Sequence, residues 1–233
     1  MKGRNWESEV VLFVLAIGLI ITVIAFTPNR AIQIVYISNI SILLFSFTYV
    51  VVKRWYVAII SPVTLVLLYF FFWDSLLIFN VCAAILACII TIYLNALLSW
   101  KTILVFAALM TVLDVFQVFG TGFMGQAAAK VFALRLPVLI VLPTYPTDGF
   151  IGLGLGDVIL AGLLSLQTIL RLGRRVGTLT TLTISCAMFV FELVAFNTEY
   201  FTYFPATVVV LSGWLIGIGV AKFIGTSKIR FRI

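Results

Sequence analysis

Apolar residues in this chain gather in long unbroken runs, and short polar or charged breaks divide them. A bilayer core needs about 20 apolar residues per helix. Eight runs qualify, some of them short, near 10–27, 31–52, 56–73, 75–98, 102–120, 154–171, 178–196 and 205–224. Between 56 and 98 only Trp73-Asp74-Ser75 separates two runs. The pattern predicts an all-α polytopic membrane protein with about eight transmembrane helices. The longest connection, 121–153, contains Arg135-Leu-Pro-Val-Leu-Ile-Val-Leu-Pro143, an apolar, β-branched segment too short to span and carrying two prolines. It fits a strand, an interfacial segment or a re-entrant piece. Unpaired backbone cannot face lipid, so the segment should be paired or buried against protein. No internal repeat of transporter type is evident.

Composition agrees. The 233 residues are 64% hydrophobic and only 10% charged, with a mean hydropathy of +1.25, whereas soluble domains average about a quarter charged. No polar segment is long enough for a separate soluble domain. The start of the chain, Met1-Lys-Gly-Arg-Asn5 before an apolar run, looks like a signal peptide, but no small-x-small cleavage site follows; it is expected to be a retained first span.

The net charge of +7 points to topology rather than to nucleic acid, because the basic residues sit in short loops and form no basic face or known module. With an even number of spans, one side of the membrane collects Lys2, Arg4, Lys53, Arg54, Lys101, Arg171, Arg174, Arg175, Lys222, Lys228, Arg230 and Arg232, and the other only Arg30, Lys130 and Arg135. By the positive-inside rule both termini are expected to be cytoplasmic and the 121–153 connection external.

Candidate chemistry is sparse. Cys82, Cys88 and Cys186 lie inside apolar runs without metal-ligand spacing and read as small buried hydrophobes. The chain has no histidine, which removes a His general base, a His-Glu-x-x-His zinc site and a Ser–His dyad together. Two acids remain inside consecutive spans, Asp114 and Asp157. A carboxylate within a bilayer costs several kcal/mol on most scales, so an intramembrane acid is a functional candidate. Asp114 lies six residues before Gly120, roughly 9 Å below that helix end at 1.5 Å per residue. Asp157 lies five residues after Gly152, roughly 8 Å below the same surface if a helix starts there. Antiparallel neighbours would then carry the acids at matching depth.

Paired carboxylates in a low-dielectric site cannot both ionise easily and share a proton. Such a pair can hydrolyse a peptide: the ionised acid deprotonates a water while the protonated one polarises the scissile carbonyl. Gly154 and Gly156, flanking Leu155, allow a substrate backbone or a neighbouring helix to approach closely; the plainer alternative is that they pack against another span. Pro205-Ala-Thr207 opens the last run, with Pro205 at a position where a helix start tolerates proline.

The order Asp114, Gly154-Leu-Gly-Asp157, Pro205-Ala206 resembles the presenilin and signal peptide peptidase family of intramembrane aspartyl proteases. Leu153-Gly-Leu-Gly-Asp157 matches its Gly-x-Gly-Asp signature, and Pro205-Ala206 matches two positions of its Pro-Ala-Leu motif. Leu136–Pro143 ahead of the second acid also looks like this family, particularly its archaeal members. The resemblance implies that Asp114 and Asp157 are catalytic, and that Gly154, Leu155, Gly156, Pro205, Ala206 and Thr207 shape the site and hold an unwound substrate. It implies no cofactor or metal. Residues 1–100 would be scaffold helices, and 101–233 the catalytic helices with the external loop 121–153. The chain departs from the family in Leu113 before the first acid, in Thr207 for the motif's leucine, and in four rather than five spans before Asp114.

The charge asymmetry selects the signal-peptide-peptidase orientation, in which the first aspartate helix runs from inside to outside. Substrates would be single-span segments with an N-in, C-out orientation: signal peptides or type II anchors. An unwound substrate stretch would pair with Leu136–Pro143 as an added strand, an idea that proline at Val138 or Ile140 would test. Beyond such substrates and the bilayer no partner is implied, nucleic acid is not expected, and the sequence leaves the oligomeric state open. Glu192 is a third acid in a span, near Asn197-Thr-Glu199, and reads first as a partnered or snorkelling group. Gln117, Asn39, Asn80 and Asn95 read as interhelical hydrogen-bonding groups. Alternatives at this level are a prepilin or preflagellin peptidase, which usually carries lysine where Ile159 stands, a proton- or cation-coupled transporter using the same two acids, and a non-catalytic membrane subunit.

Overall fold

A computed structural model of the chain describes residues 6–71, 75–143, 150–198 and 204–224, with the backbone alone at 6–9 and 195–198. Expectations resting on Lys2, Arg4, Trp73, Asp74, Asn197, Glu199, Lys228, Arg230 and Arg232 fall outside these residues or on backbone-only positions. The protein is mostly helical. Helices α1 (Trp6–Phe26), α2 (Asn29–Val52), α3 (Trp55–Ala58), α4 (Ile60–Phe71) and α5 (Leu76–Leu97) precede α6 (Trp100–Val115), which continues into a π-helical turn (Phe116–Thr121). Then come α7 (Phe123–Ala133), strands β1 (Leu139–Pro143) and β2 (Phe150–Gly154), and helices α8 (Leu155–Leu172), α9 (Arg174–Thr198) and α10 (Ala206–Phe223).

Six helical stretches among the described residues are long and apolar enough to cross a membrane: Asn29–Val52, Leu76–Leu97, Trp100–Thr121, Leu155–Leu172, Arg174–Val194 and Ala206–Phe223. Val10–Phe26 and Trp55–Phe71 are apolar but shorter. This is a polytopic membrane protein. Its outward faces carry large apolar side chains such as Leu12, Phe70 and Leu182, the surface that lipid requires. Cys88 and Cys186 also lie exposed on outer faces and Cys82 is half-buried, so these thiols are not core residues.

Local chemistry explains the breaks. Pro62 cannot donate to the Ala58 carbonyl one turn back, and the Ser61 hydroxyl bonds that carbonyl instead at 3.1 Å. The Ser99 hydroxyl caps α6 by accepting from the Thr102 N–H at 3.3 Å. Gly173, at φ +96°, alone joins α8 to α9, a conformation that costs a Cβ-bearing residue dearly.

The helices fall into two groups. Helix α2 packs on α3 and α4, while α8 packs on α5, α9 and α10, and α6 lies between α1, α8 and α10. The main core joins Val10 and Val14 of α1, Ile103, Phe106 and Ala107 of α6, Leu160, Leu163 and Leu164 of α8, and Val210 and Trp214 of α10. On α10, Gly213 and Gly217 meet α9 so closely that a Cβ on Gly217 would come within 2.7 Å of Thr180 Cα. A buried hydrogen bond from Trp214 Nε1 to Thr168 Oγ1, at 2.9 Å, ties α10 to α8. These contacts fix the three helices that carry the candidate site.

The long connection is more structured than its sequence signalled. Helix α7 lies against α1, and the Lys130 ammonium donates to carbonyls at the end of α1, including Thr27 at 3.2 Å. Its apolar segment is a strand: β1 pairs antiparallel with β2, Leu139 opposite Gly154 and Pro143 opposite Phe150. The all-helical expectation therefore holds except for this hairpin.

Candidate active site

Asp114 and Asp157 come together. Asp114 sits near the end of the α-helical part of α6, just before the π-helical turn, and is 5% exposed; Asp157 sits in the first turn of α8 and is 7% exposed. They are close enough for the Asp114 charge to act on Asp157. The two acids are neighbours, but not through the helix start that the spacing implied. Residues 150–154 form a strand, not a helix start, so Asp157 lies only three residues into its helix, and α6 widens into a π-helical turn just after Asp114. π-helical turns of this kind recur at functional sites.

The Gly-x-Gly-Asp spacing has a local cause. Gly154 is the N-cap residue of α8 and Asp157 its third residue, so the carboxylate folds back over the Gly154 backbone. A Cβ on Gly154 would come within 2.6 Å of Asp157 Oδ2, whereas a Cβ on Gly156 would meet nothing within 4 Å. Neither glycine packs against another span: the first leaves room for the acid itself, and the second borders open space. Leu155 between them is buried against Ala83, Leu86 and Ala87 of α5, which anchors the start of α8.

The third element joins the acids. Pro205 is fully buried and precedes α10 as its N-cap rather than as a first-turn residue. Phe204 packs against Phe191 with the rings tilted and their centroids 4.4 Å apart, and meets Phe119 edge-on at 6.2 Å, pinning the entry to the helix. Ala206 is the first helical residue. Thr207, 4% exposed, donates its hydroxyl to Asp114 Oδ2 at 2.7 Å. Its backbone N–H faces the same carboxylate. No described residue donates a hydrogen bond to Asp157.

The hairpin leads directly into the second acid. Val141 turns both main-chain groups away from β2, to the side chain of Asn80: Val141 N–H to Oδ1 at 2.8 Å and Asn80 Nδ2 to Val141 O at 2.7 Å. In an antiparallel ladder such a residue belongs to a non-hydrogen-bonded pair, so its partner Gly152, and Gly154 two residues on, turn their N–H and C=O groups to the outer edge of β2. The bond from Leu155 N to Val138 O, 2.8 Å, keeps the same alternation. Pairing of a substrate with Leu136–Pro143 is thereby corrected. One edge of β1 belongs to β2 and the other is occupied at Val141, while among the described residues nothing pairs with the outer edge of β2.

Other polar groups sort by partner. Gln117 donates to Gly18 O of α1 at 2.9 Å, and Gln167 to Asn95 at 2.7 Å, as expected of interhelical groups. Asn80 binds a strand, and Asn39 bonds Val35 O in its own helix, so neither joins two helices. Glu192 is half-buried on α9 and makes no hydrogen bond or ion pair with a described residue; it does not join the two aspartates. No group of three or more His, Cys, Asp or Glu side chains able to hold a metal occurs among the described residues. The roles of Thr207 toward Asp114 and of Asn80 toward β1 were not legible in the sequence. Each was visible only as a polar residue in an apolar run.

No protein-family model matches the chain, and none of the curated proteins matches it. The arrangement of the site therefore stands on its own chemistry: two buried acids, one open strand edge beside them and a helix N-terminus against one of them.

Proposed function

We propose that this chain is an intramembrane aspartyl protease of the presenilin and signal peptide peptidase type, hydrolysing peptide bonds within membrane-spanning segments. The observation that carries this reading is the meeting of Asp114 and Asp157, buried at the junction of α6, α8 and α10. Two such carboxylates share a proton, so one accepts a proton from water while the other donates to the scissile carbonyl. In this reading α1 and the α3–α4 pair supply two further crossings, giving eight in a presenilin-like bundle with both termini cytoplasmic. Substrates are then N-in, C-out segments such as signal peptides and type II anchors.

A helical substrate hides its carbonyls in hydrogen bonds and must unwind to be cut. The outer edge of β2 offers the unwound stretch a strand to pair with, through Gly152 and Gly154, immediately before Asp157. Open space at Gly156 agrees with a substrate backbone passing there.

The test is cleavage of a helical signal-peptide-like substrate by the purified protein in lipid vesicles. Asp114→Asn and Asp157→Asn should each lower the rate by at least about 10²-fold, the range of general acid–base catalysis. Cleavage surviving either substitution overturns the dyad, and solute flux without proteolysis favours the transporter. In the same assay Gly152→Pro, which removes an outward N–H but leaves the hairpin bonds of Ile140 and Leu142, should abolish cleavage; an unchanged rate argues against edge pairing.

A further inference from the structure

The two acids are buried alike but held differently. Helix α10 begins with Pro205 at its N-cap, a residue with no side-chain oxygen to satisfy the unpaired N–H groups of the first turn,. Asp114 takes that place from another helix. Its carboxylate accepts the Thr207 hydroxyl at 2.7 Å and faces the Thr207 backbone N–H, at the positive end of the α10 dipole. Asp157 has no such donor among the described residues.

Thr207 also differs from five other helical threonines. Thr22, Thr64, Thr111, Thr168 and Thr183 each donate to a carbonyl four residues earlier in their own helix. At the second position of α10, Thr207 has no helical carbonyl four residues back, so its hydroxyl proton is free to point outward, and it points at Asp114.

Resting on the protease reading of this site, we propose that Thr207 is a positioning residue that fixes Asp114 as the base of the pair and leaves the shared proton on Asp157. Donors to a carboxylate favour its ionised form, and a hydroxyl donor beside a backbone N–H on one acid, with no donor among the described residues on the other, breaks the symmetry of the dyad. The hydrolytic cycle then has one direction. A water loses a proton to Asp114 as its oxygen bonds to the scissile carbon, and Asp157 gives its proton to the carbonyl oxygen. The gem-diol returns a hydroxyl proton to Asp157 while Asp114 passes its proton to the leaving nitrogen and the C–N bond breaks. The products are a carboxylic acid and an amine, and the pair again holds one proton, on Asp157.

The experiment has a kinetic and a spectroscopic arm, both on the full chain in lipid. Thr207→Val keeps the size and the backbone N–H but loses the hydroxyl; kcat should fall about 10- to 100-fold, as for a lost hydrogen bond to a charged group. KM should stay unchanged, and Thr207→Ser should restore a rate close to wild type. Thr207→Val at full activity, beside inactive Asp114→Asn and Asp157→Asn, overturns the proposal and leaves the protease reading intact. Infrared spectra of the unliganded protein at neutral pH report the proton without any turnover. The protonated-carboxyl stretching band should vanish in Asp157→Asn and persist in Asp114→Asn; the reverse overturns the proposal. Those band assignments in a protein that cuts nothing would refute the protease reading alone.

Discussion

The helices before residue 100 and those after it draw on the same apolar residues but bury different things. Every buried polar or charged side chain among the described residues lies in the second group: Asp114, Gln117, Asp157, Ser165, Gln167, Thr168, Thr180 and Thr207. The first group is less buried at its extreme: of the apolar stretches, 11% is buried in α2 and 44% in α8, while α5 and α9 are equal at 22%. A lipid-facing helix needs only apolar side chains and its own backbone bonds. A helix turned inward can carry polar groups, provided each meets a partner, because an unmet one is costly in a low dielectric. The N-terminal helices are thus largely a wall, and the C-terminal helices hold the buried polar groups.

Several substitutions bear on that contrast. The largest effect among these belongs to Gly154→Ala. The added Cβ would displace the Asp157 carboxylate, a flexible group, so melting should barely move while cleavage falls about 10²-fold, the scale of a 1 Å misplacement. Gly156→Ala, with nothing within 4 Å, should leave the protein unchanged and act on substrate affinity alone; equal losses from the two glycines would remove the local account of the motif.

Asn80→Leu is the exception that the wall should show. It lies in α5 yet holds β1 by two hydrogen bonds, and its loss leaves both main-chain groups of Val141 without their partner. A destabilisation of about 1–3 kcal/mol should accompany loss of cleavage, read as raised KM if the hairpin receives substrate. A silent Asn80→Leu would return the hairpin to the C-terminal group alone. At the small end, Leu12→Ala on the outward face of α1 should shift stability by no more than about 0.5 kcal/mol and leave cleavage untouched. A large loss there would mean that the outer face of the wall is an interface.

Much of the fold was legible because a bilayer allows so few solutions. Long apolar runs bounded by basic loops marked the helices, and the start of the last helix at Pro205 followed from a residue that punctuates helices strongly. The 121–153 connection was the hardest region to read. The short β-branched run of Leu136–Pro143 left a strand open beside an interfacial or re-entrant reading and named no partner, and α7 carries too few large apolar residues to stand out. The candidate acids were visible as rare charges in apolar spans. The partners of Asn80, Thr207 and Thr168 were not, because a neutral polar residue in a span has the same appearance whether it bonds its own helix, a strand or an acid.

The sequence alone determined that the chain is a polytopic membrane protein and that Asp114 and Asp157 are its two exceptional groups, since hydrophobicity and burial cost are properties of residues. It also set Gly154 three residues before Asp157, a spacing whose reason is local. Only the tertiary structure decided that the acids are neighbours, that α10 lays its N-terminus on Asp114 and not on Asp157, and that among the described residues β2 keeps an unpaired outer edge. Those outcomes depend on which helices lie side by side and how each is rotated, and that is settled by packing across the whole bundle.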